Sequence, residues 1–297
     1  MSMRKLGAAM LAMAFASPAL AADEDAAEIT PYQIVANAPD SAWRAVDPEN
    51  ELVVDLPAGP LVIELRPDFA PKHVEQIKTL VRQGFYNGLT FHRVIEGFVA
   101  QGGDPKGDGT GGSDLPNIPA EFSRDVNSAP DYDVIGRDRM AAHVGMVDGM
   151  LRRRSRSRCA IRDRPHRVAL GAHCPGVMSM ARSTDPNSAN SQFFLVIGDA
   201  RQSLDKRYTV WGWIIDGMQN ARRINRGEPP DRPTPIVRMR MASDMPASER
   251  PHIEVLRTDS EAFDGYIKGM RWVDETGFVK DLCDIKAPRR VDGKIAL

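Results

Sequence analysis

Two five-residue apolar runs, Leu52-Val53-Val54-Asp55-Leu56 and Leu61-Val62-Ile63-Glu64-Leu65, are separated only by Pro57-Ala58-Gly59-Pro60. Runs this short, rich in branched residues and joined across a Gly/Pro turn, predict a β-hairpin. The pattern recurs. Residues 177–181, 192–197 and 208–214 read as buried strands, 235–241 alternates as a last strand, and 91–94 and 98–101 are shorter β-like pieces. Helical spacing is sparse. Val74, Ile77, Leu80 and Val81 follow Pro71, which suits a first turn, and Gly84 is a stop. Residues 217–226 fit a second, short helix. Many strands with one or two helices predict a mainly β fold, a barrel or sandwich. No period of solenoid length occurs.

Charge excludes more than composition does. The 297 residues carry 39 Lys+Arg against 40 Asp+Glu, a net charge of −1. That balance gives no whole-chain case for nucleic-acid binding, which rests on a basic surplus. Hydrophobic residues at 42% and charged residues at 27% are ordinary for a globular chain. No apolar run reaches the roughly 18 residues of a spanning helix, so no membrane span is expected.

The opening reads as an export address, residues 1–21. Arg4 and Lys5 form a basic start, residues 6–15 a short apolar run, and Ala19-Leu20-Ala21 a small-x-small cleavage site after Pro18. Cleavage would take the net charge from −1 to −3. The expected location is a bacterial periplasm. Such a compartment permits disulfides, and three cysteines leave one thiol over. Cys159 and Cys174 are near in sequence and are one candidate pair. Cys159, His166, His173 and Cys174 can also be drawn as a zinc set, but no paired C-x-x-C knuckle is present; no metal or cofactor is expected.

Residues 22–46 read as a polar, irregular lead-in. Residues 124–172 are long, polar and weakly periodic, an arginine-rich insert. Within it, eight arginines fall in sixteen residues, from Arg152 to Arg167. They fit a solvated loop face, or a surface for an acidic partner. The segment 107–112 formally satisfies G-x-G-x-x-G, but Pro116 and Pro119 follow instead of the helix that fingerprint needs, so it reads as a flexible surface loop. G-x-S-x-G and H-E-x-x-H are absent from the sequence.

Two segments carry the chemistry. One holds Phe91-His92-Arg93, Gly97-Phe98 and Gln101-Gly102-Gly103-Asp104; the other, from Gly176 to Met218, holds Ser191-Gln192-Phe193-Phe194. Together they strongly resemble the cyclophilin family of peptidyl-prolyl cis-trans isomerases, above all its exported bacterial members. The resemblance spans about 190 residues, from Glu51 to Met241, interrupted by the insert. It implies a closed eight-stranded antiparallel β-barrel with two flanking helices. Three parts are expected to follow the leader: the lead-in 22–46, an isomerase domain 47–244 containing the insert at 124–172, and a C-terminal extension 245–297 with enough aromatics to pack on the barrel.

The implied substrate is an X–Pro peptide bond in a polypeptide, with the enzyme acting as a monomer. Rotation about that bond breaks amide resonance and returns a lone pair to the proline nitrogen. It needs no nucleophile and no metal. An apolar slot suits the less polar twisted amide, and a fixed donor aimed at the nitrogen acts only in the transition state. The resemblance puts the catalytic arginine at Arg93, whose guanidinium is always charged. It puts Phe98, Val99, Phe194 and Leu204 around the proline ring, and Gln101 on the substrate backbone and behind Arg93. It places Gln192, Ala181 and Arg182 along the groove, with the 181–182 backbone pairing to the peptide, and Tyr208 at the rim. Phe91, Phe193, Val196 and Trp211 are left as core.

There are departures from the family pattern. Val99 stands for the usual Met, Arg182 for an Asn of many eukaryotic members, Tyr208 for a frequent His. Ser203 stands for the Trp that supports cyclosporin binding in some members, so weak cyclosporin affinity is expected. The rival reading is a non-catalytic peptide-binding or chaperone module that uses the groove or the arginine-rich insert.

Overall fold

A computed structural model describes residues 29–125, 133–139, 141–156 and 167–297. The expected leader, Cys159, His166 and the arginines at 158, 162 and 164 lie outside the described residues. The chain begins with helix α1 (Pro31–Ala36), capped by Thr30 in a reciprocal box with Gln33, and strand β1 (Trp43–Ala45). Then come the hairpin β2 (Glu51–Leu56) and β3 (Gly59–Leu65), helix α2 (Pro71–Arg82), β4 (Arg93–Val94) and β5 (Val99–Gly102). Next are β6 (Arg124–Asp125), β7 (Asp133–Asp138), β8 (Ala141–Val147), β9 (Met150–Arg156) and β10 (Arg167–Gly171). They are followed by β11 (Val177–Met180), β12 (Phe193–Val196), α3 (Arg201–Leu204), β13 (Val210–Asp216), α4 (Met218–Ala221) and β14 (Arg238–Met241). The chain closes with β15 (Ile253–Leu256), α5 (Glu261–Gly269), β16 (Arg289–Val291) and β17 (Lys294–Ala296).

Eight strands form one curled antiparallel sheet in the order β14-β2-β3-β13-β11-β12-β5-β4. Its two edge strands share no ladder. Single bridges flank these edges, Thr90 to Pro235 and Val94 to Gly227, but neither joins β4 to β14, so the curled sheet is not closed by a ladder. Alternation along β3 fixes inside and outside. Leu61, Ile63 and Leu65 point into the barrel core with Leu52, Val54, Trp211 and Phe193, while Val62 and Glu64 point out. Helix α2 lays Val74, Ile77, Leu80 and Val81 on that core, the stripe its spacing predicts.

Three expectations are corrected outside the barrel. The lead-in is ordered: β1 pairs with β15, Trp43 opposite Leu256. The insert is a five-stranded sheet, β6-β10-β9-β8-β7, in which Arg152, Arg153, Arg154 and Arg156 are ladder residues rather than loop. The cysteine pairing also differs, because Cys174 is bonded to Cys283 across 109 residues of chain. Neither a Cys159–Cys174 bridge nor the zinc set is compatible with that bond. Lead-in, insert and extension bury one second core, with Val35, Trp43, Val144, Met146, Val255, Phe263 and Tyr266 packed on Val62 and Ile215 of the barrel's outer face. The extension therefore packs as its aromatics led us to expect. Among the described residues no helix is long and apolar enough to cross a membrane.

Candidate active site

Strand register gathers the predicted residues before any side chain is considered. Residues opposite each other on neighbouring strands share a face. Arg93 lies opposite Gln101, Gln101 opposite Phe194, and Val99 opposite Val196. All five are on the outer face, while Val94, Ala100, Phe193 and Leu195 between them enter the barrel core. Val99, Phe194, Val196 and Leu204 form a third buried cluster, with half-buried Phe98, Ala181 and Tyr208 against it. Val196, read from sequence as barrel core, belongs to this outer cluster instead. Tyr208 meets Phe194 edge to face, ring centres 5.4 Å apart.

Arg93 sits at the edge of this slot. Its Nε donates to Glu228 at 2.9 Å and its Nη1 to the Gln101 Oε1 at 3.4 Å, while its side chain stays 39% exposed. Nη2 has no hydrogen-bond partner among the described residues. Gln101 passes the order on, donating to the Gln192 Oε1 at 2.9 Å. Gln192 in turn donates to the carbonyls of Gly109 and Gly111, at 3.0 and 2.8 Å. The glycine-rich loop expected to be flexible is thus pinned at its centre. Asp104 pins it again by accepting from the Lys106 and Gly109 N–H groups. Burial pushes the Asp104 carboxyl up, but these backbone donors outweigh it and hold the group below the usual carboxylate range. Gly111 has no alternative here, since a Cβ would stand 2.0 Å from the Asp104 Oδ1.

A cleft of about 420 Å³ continues from Gln101 between this loop and the 181–183 segment. The Ala181 N–H is already committed to the Gln192 carbonyl at 2.9 Å, so the expected peptide pairing falls to the rest of that edge. Arg182 is held down, donating to the Arg207 carbonyl and lying over the rings of Tyr208 (4.6 Å) and Phe122 (5.4 Å). All ten predicted residues therefore lie along one slot and its continuing cleft.

Sequence reasoning missed several supports. Glu228, the ion-pair partner of Arg93, comes from a Pro-rich turn with no motif of its own. Val147 and Met150 of the insert join the buried cluster beneath Phe194. His173 stacks on Phe194 at 6.2 Å and contacts Asp205 and Ser179 at 2.9 and 3.1 Å. This serine-histidine-aspartate chain is not a nucleophile. Ser179 is fully buried and donates its proton to the Thr209 carbonyl. His92, beside Arg93, is buried without a partner on either ring nitrogen; burial holds it below the usual histidine range, and Arg93 pushes the same way against Asp104.

Known proteins are similar to this chain. The family described as "Cyclophilin type peptidyl-prolyl cis-trans isomerase/CLD" matches residues 51–243. A probable peptidyl-prolyl cis-trans isomerase of Brucella suis is 39% identical over 194 residues, covering 62% of this chain and 75% of that protein. Peptidyl-prolyl cis-trans isomerase B of Bacillus subtilis is 32% identical over 165 residues, covering 56% and 82%. The crystal structure of cyclophilin AquaCyp293 from Hirschia baltica matches 89% of this chain and 98% of its own, at 34% identity and a TM-score of 0.72. With this match across the eight-stranded sheet, the chain belongs to the cyclophilin family of peptidyl-prolyl cis-trans isomerases.

Proposed function

We propose that the isomerase acts as a monomer on X–Pro bonds of exported proteins, with Arg93 as the donor to the prolyl nitrogen. One observation carries the assignment: Arg93 is braced by Gln101 and Glu228 at the edge of the Phe98, Val99, Phe194 and Leu204 cluster, on the same face. The ring enters the apolar cluster. The twisted amide loses its charge separation there, and the nitrogen lone pair that appears accepts from the guanidinium. Because the ground-state amide nitrogen offers no lone pair, that bond stabilises only the transition state. Gln101 and the 181–182 edge hold the flanking backbone, and Gln192, tied to the loop, sets the cleft's width.

Arg93→Ala tests the role. The variant should keep the circular dichroism of the parent and lose roughly 10²–10³-fold in kcat/KM in a protease-coupled X-Ala-Pro-Phe-X assay. Unchanged turnover would reject the assignment. Export is supported by the basic start, apolar run and Ala19-Leu20-Ala21 site, and by a disulfide of the kind that persists in oxidising compartments. N-terminal sequencing of protein recovered from a periplasmic extract should begin at Ala22. Recovery of the whole chain only from the cytoplasm would remove this part of the proposal.

A further inference from the structure

A cavity of about 100 Å³ lies on the seam between barrel and extension; its Met150 and Val177 also belong to the cluster beneath Phe194. The Cys174–Cys283 bond forms part of its wall. Met150, Val177, Trp213 and Ile285 give it apolar sides. Two cations, Lys286 and Arg289, share the lining with Leu297, and no aspartate or glutamate does. Neither cation makes a hydrogen bond or ion pair with a described residue, and the Nε of Arg289 is buried with no partner at all. Asp216 and Tyr266 act on Arg289 only through space. Burial is the main influence on both groups and holds each below its ordinary range.

The buried Nε of Arg289 has lost its hydration without gaining an acceptor, which is costly even though the rest of the side chain is only half-buried. An anion seated in the cavity would supply the missing acceptor, and Arg presents a planar fork suited to a carboxylate. The walls set the rest of the ligand. A free inorganic anion would leave them unfilled, whereas an apolar body would cover them. Pockets with this mixture, apolar walls and a few convergent polar groups at a seam between structural layers, are the usual form of small-molecule sites.

We infer that this cavity is a binding site for a small amphipathic carboxylate, with Arg289 and Lys286 holding the carboxylate and the Met150, Val177, Trp213 and Ile285 walls holding its apolar body. Arg93 is not part of the lining, and occupancy is read by binding.

The test is titration calorimetry of the full oxidised chain with octanoate, with 1-octanol as the uncharged match and with acetate as the match lacking the body. Trp213 emission gives a second readout from the cavity wall. Octanoate should bind, quench or shift Trp213, and raise Tm, while octanol and acetate each bind at least tenfold more weakly. Arg289→Met should weaken octanoate at least tenfold and leave isomerase kcat/KM unchanged. Lys286→Met, which removes the less buried cation, should weaken it severalfold and guards against a folding defect in the first variant. Arg289→Lys should restore part of the affinity. Octanol binding as tightly as octanoate would overturn the inference, as would octanoate affinity unaffected by both Met variants or no octanoate binding at millimolar concentration.

Discussion

At the residue scale, the proposed mechanism depends on holding one arginine in place. Gln101 is the hinge of that order, since it contacts Arg93 on one side and Gln192 on the other. Gln101→Ala should lower kcat/KM about tenfold, equivalent to about 1.4 kcal/mol, with the fold intact; steady-state kinetics at several peptide concentrations measure it. The pH profile follows from the same groups. A guanidinium is charged at any working pH, and burial holds the neighbouring His92 below the usual histidine range. A flat kcat/KM from about pH 6.5 to 9 is expected, and a step within that range would show a titrating participant. The site residues were legible because the motif Phe91-His92-Arg93, its glutamines and Phe194 stand at distinctive spacings. Glu228 was not, because an exposed carboxylate in a turn looks the same whether it pairs or not.

Hairpin β2–β3 carries a conflict of its own at the element scale. Glu51 stands directly opposite Glu64, and both are buried. Glu64 is served by Arg44 at 2.8 Å and by the Trp213 N–H, while the Oε1 of Glu51 has no partner. Burial, then repulsion from Glu64, pushes the Glu51 carboxyl up to about 7 against an ordinary 4.5, with Arg250 opposing. A raised folded-state value means the unfolded chain gives up its proton first. Stability from the protonated group is therefore full below about pH 4.5, falls between 4.5 and 7, and is gone above that. Glu51→Gln should remove this fall and be more stable than the parent at pH 8 by about 2 kcal/mol, a figure reduced for solvent screening. Urea titrations at pH 4.5 and pH 8 check it; a parent–variant gap equal at both would contradict the assignment. The longer barrel strands were readable because they alternate or run apolar, whereas β4 has only two residues. Strands β1, β16 and β17 have three residues each, too few to show a period, and the partner of β1 lies more than two hundred residues away.

For the whole molecule, a second core is built on the barrel's outer face by three segments that read as additions. The insert reaches furthest: its β8–β9 turn accepts from Arg66 at the Val147 carbonyl and places Val147 and Met150 beneath the proline slot. The disulfide ties the end of the insert to the extension. Closing 109 residues, it restricts the unfolded chain, and Cys283→Ser should cost about 3 kcal/mol in denaturant titrations, with dithiothreitol lowering the parent to match. If the reduced parent and the oxidised parent unfold at the same denaturant concentration, the bond contributes nothing. The pairing was not visible in sequence, since three cysteines allow three pairings and proximity along the chain favoured the wrong one. The pairing of β1 with β15 sets an order of events on the ribosome. β1 emerges first and must wait, its hydrogen-bonding edge unpaired, while the whole isomerase barrel is synthesised and can close. Only when residues past 253 are translated does that edge find its mate, so the small sheet is the last part of the nascent polypeptide to zip shut, and a stall before that point would release a finished catalyst with an unfinished flank.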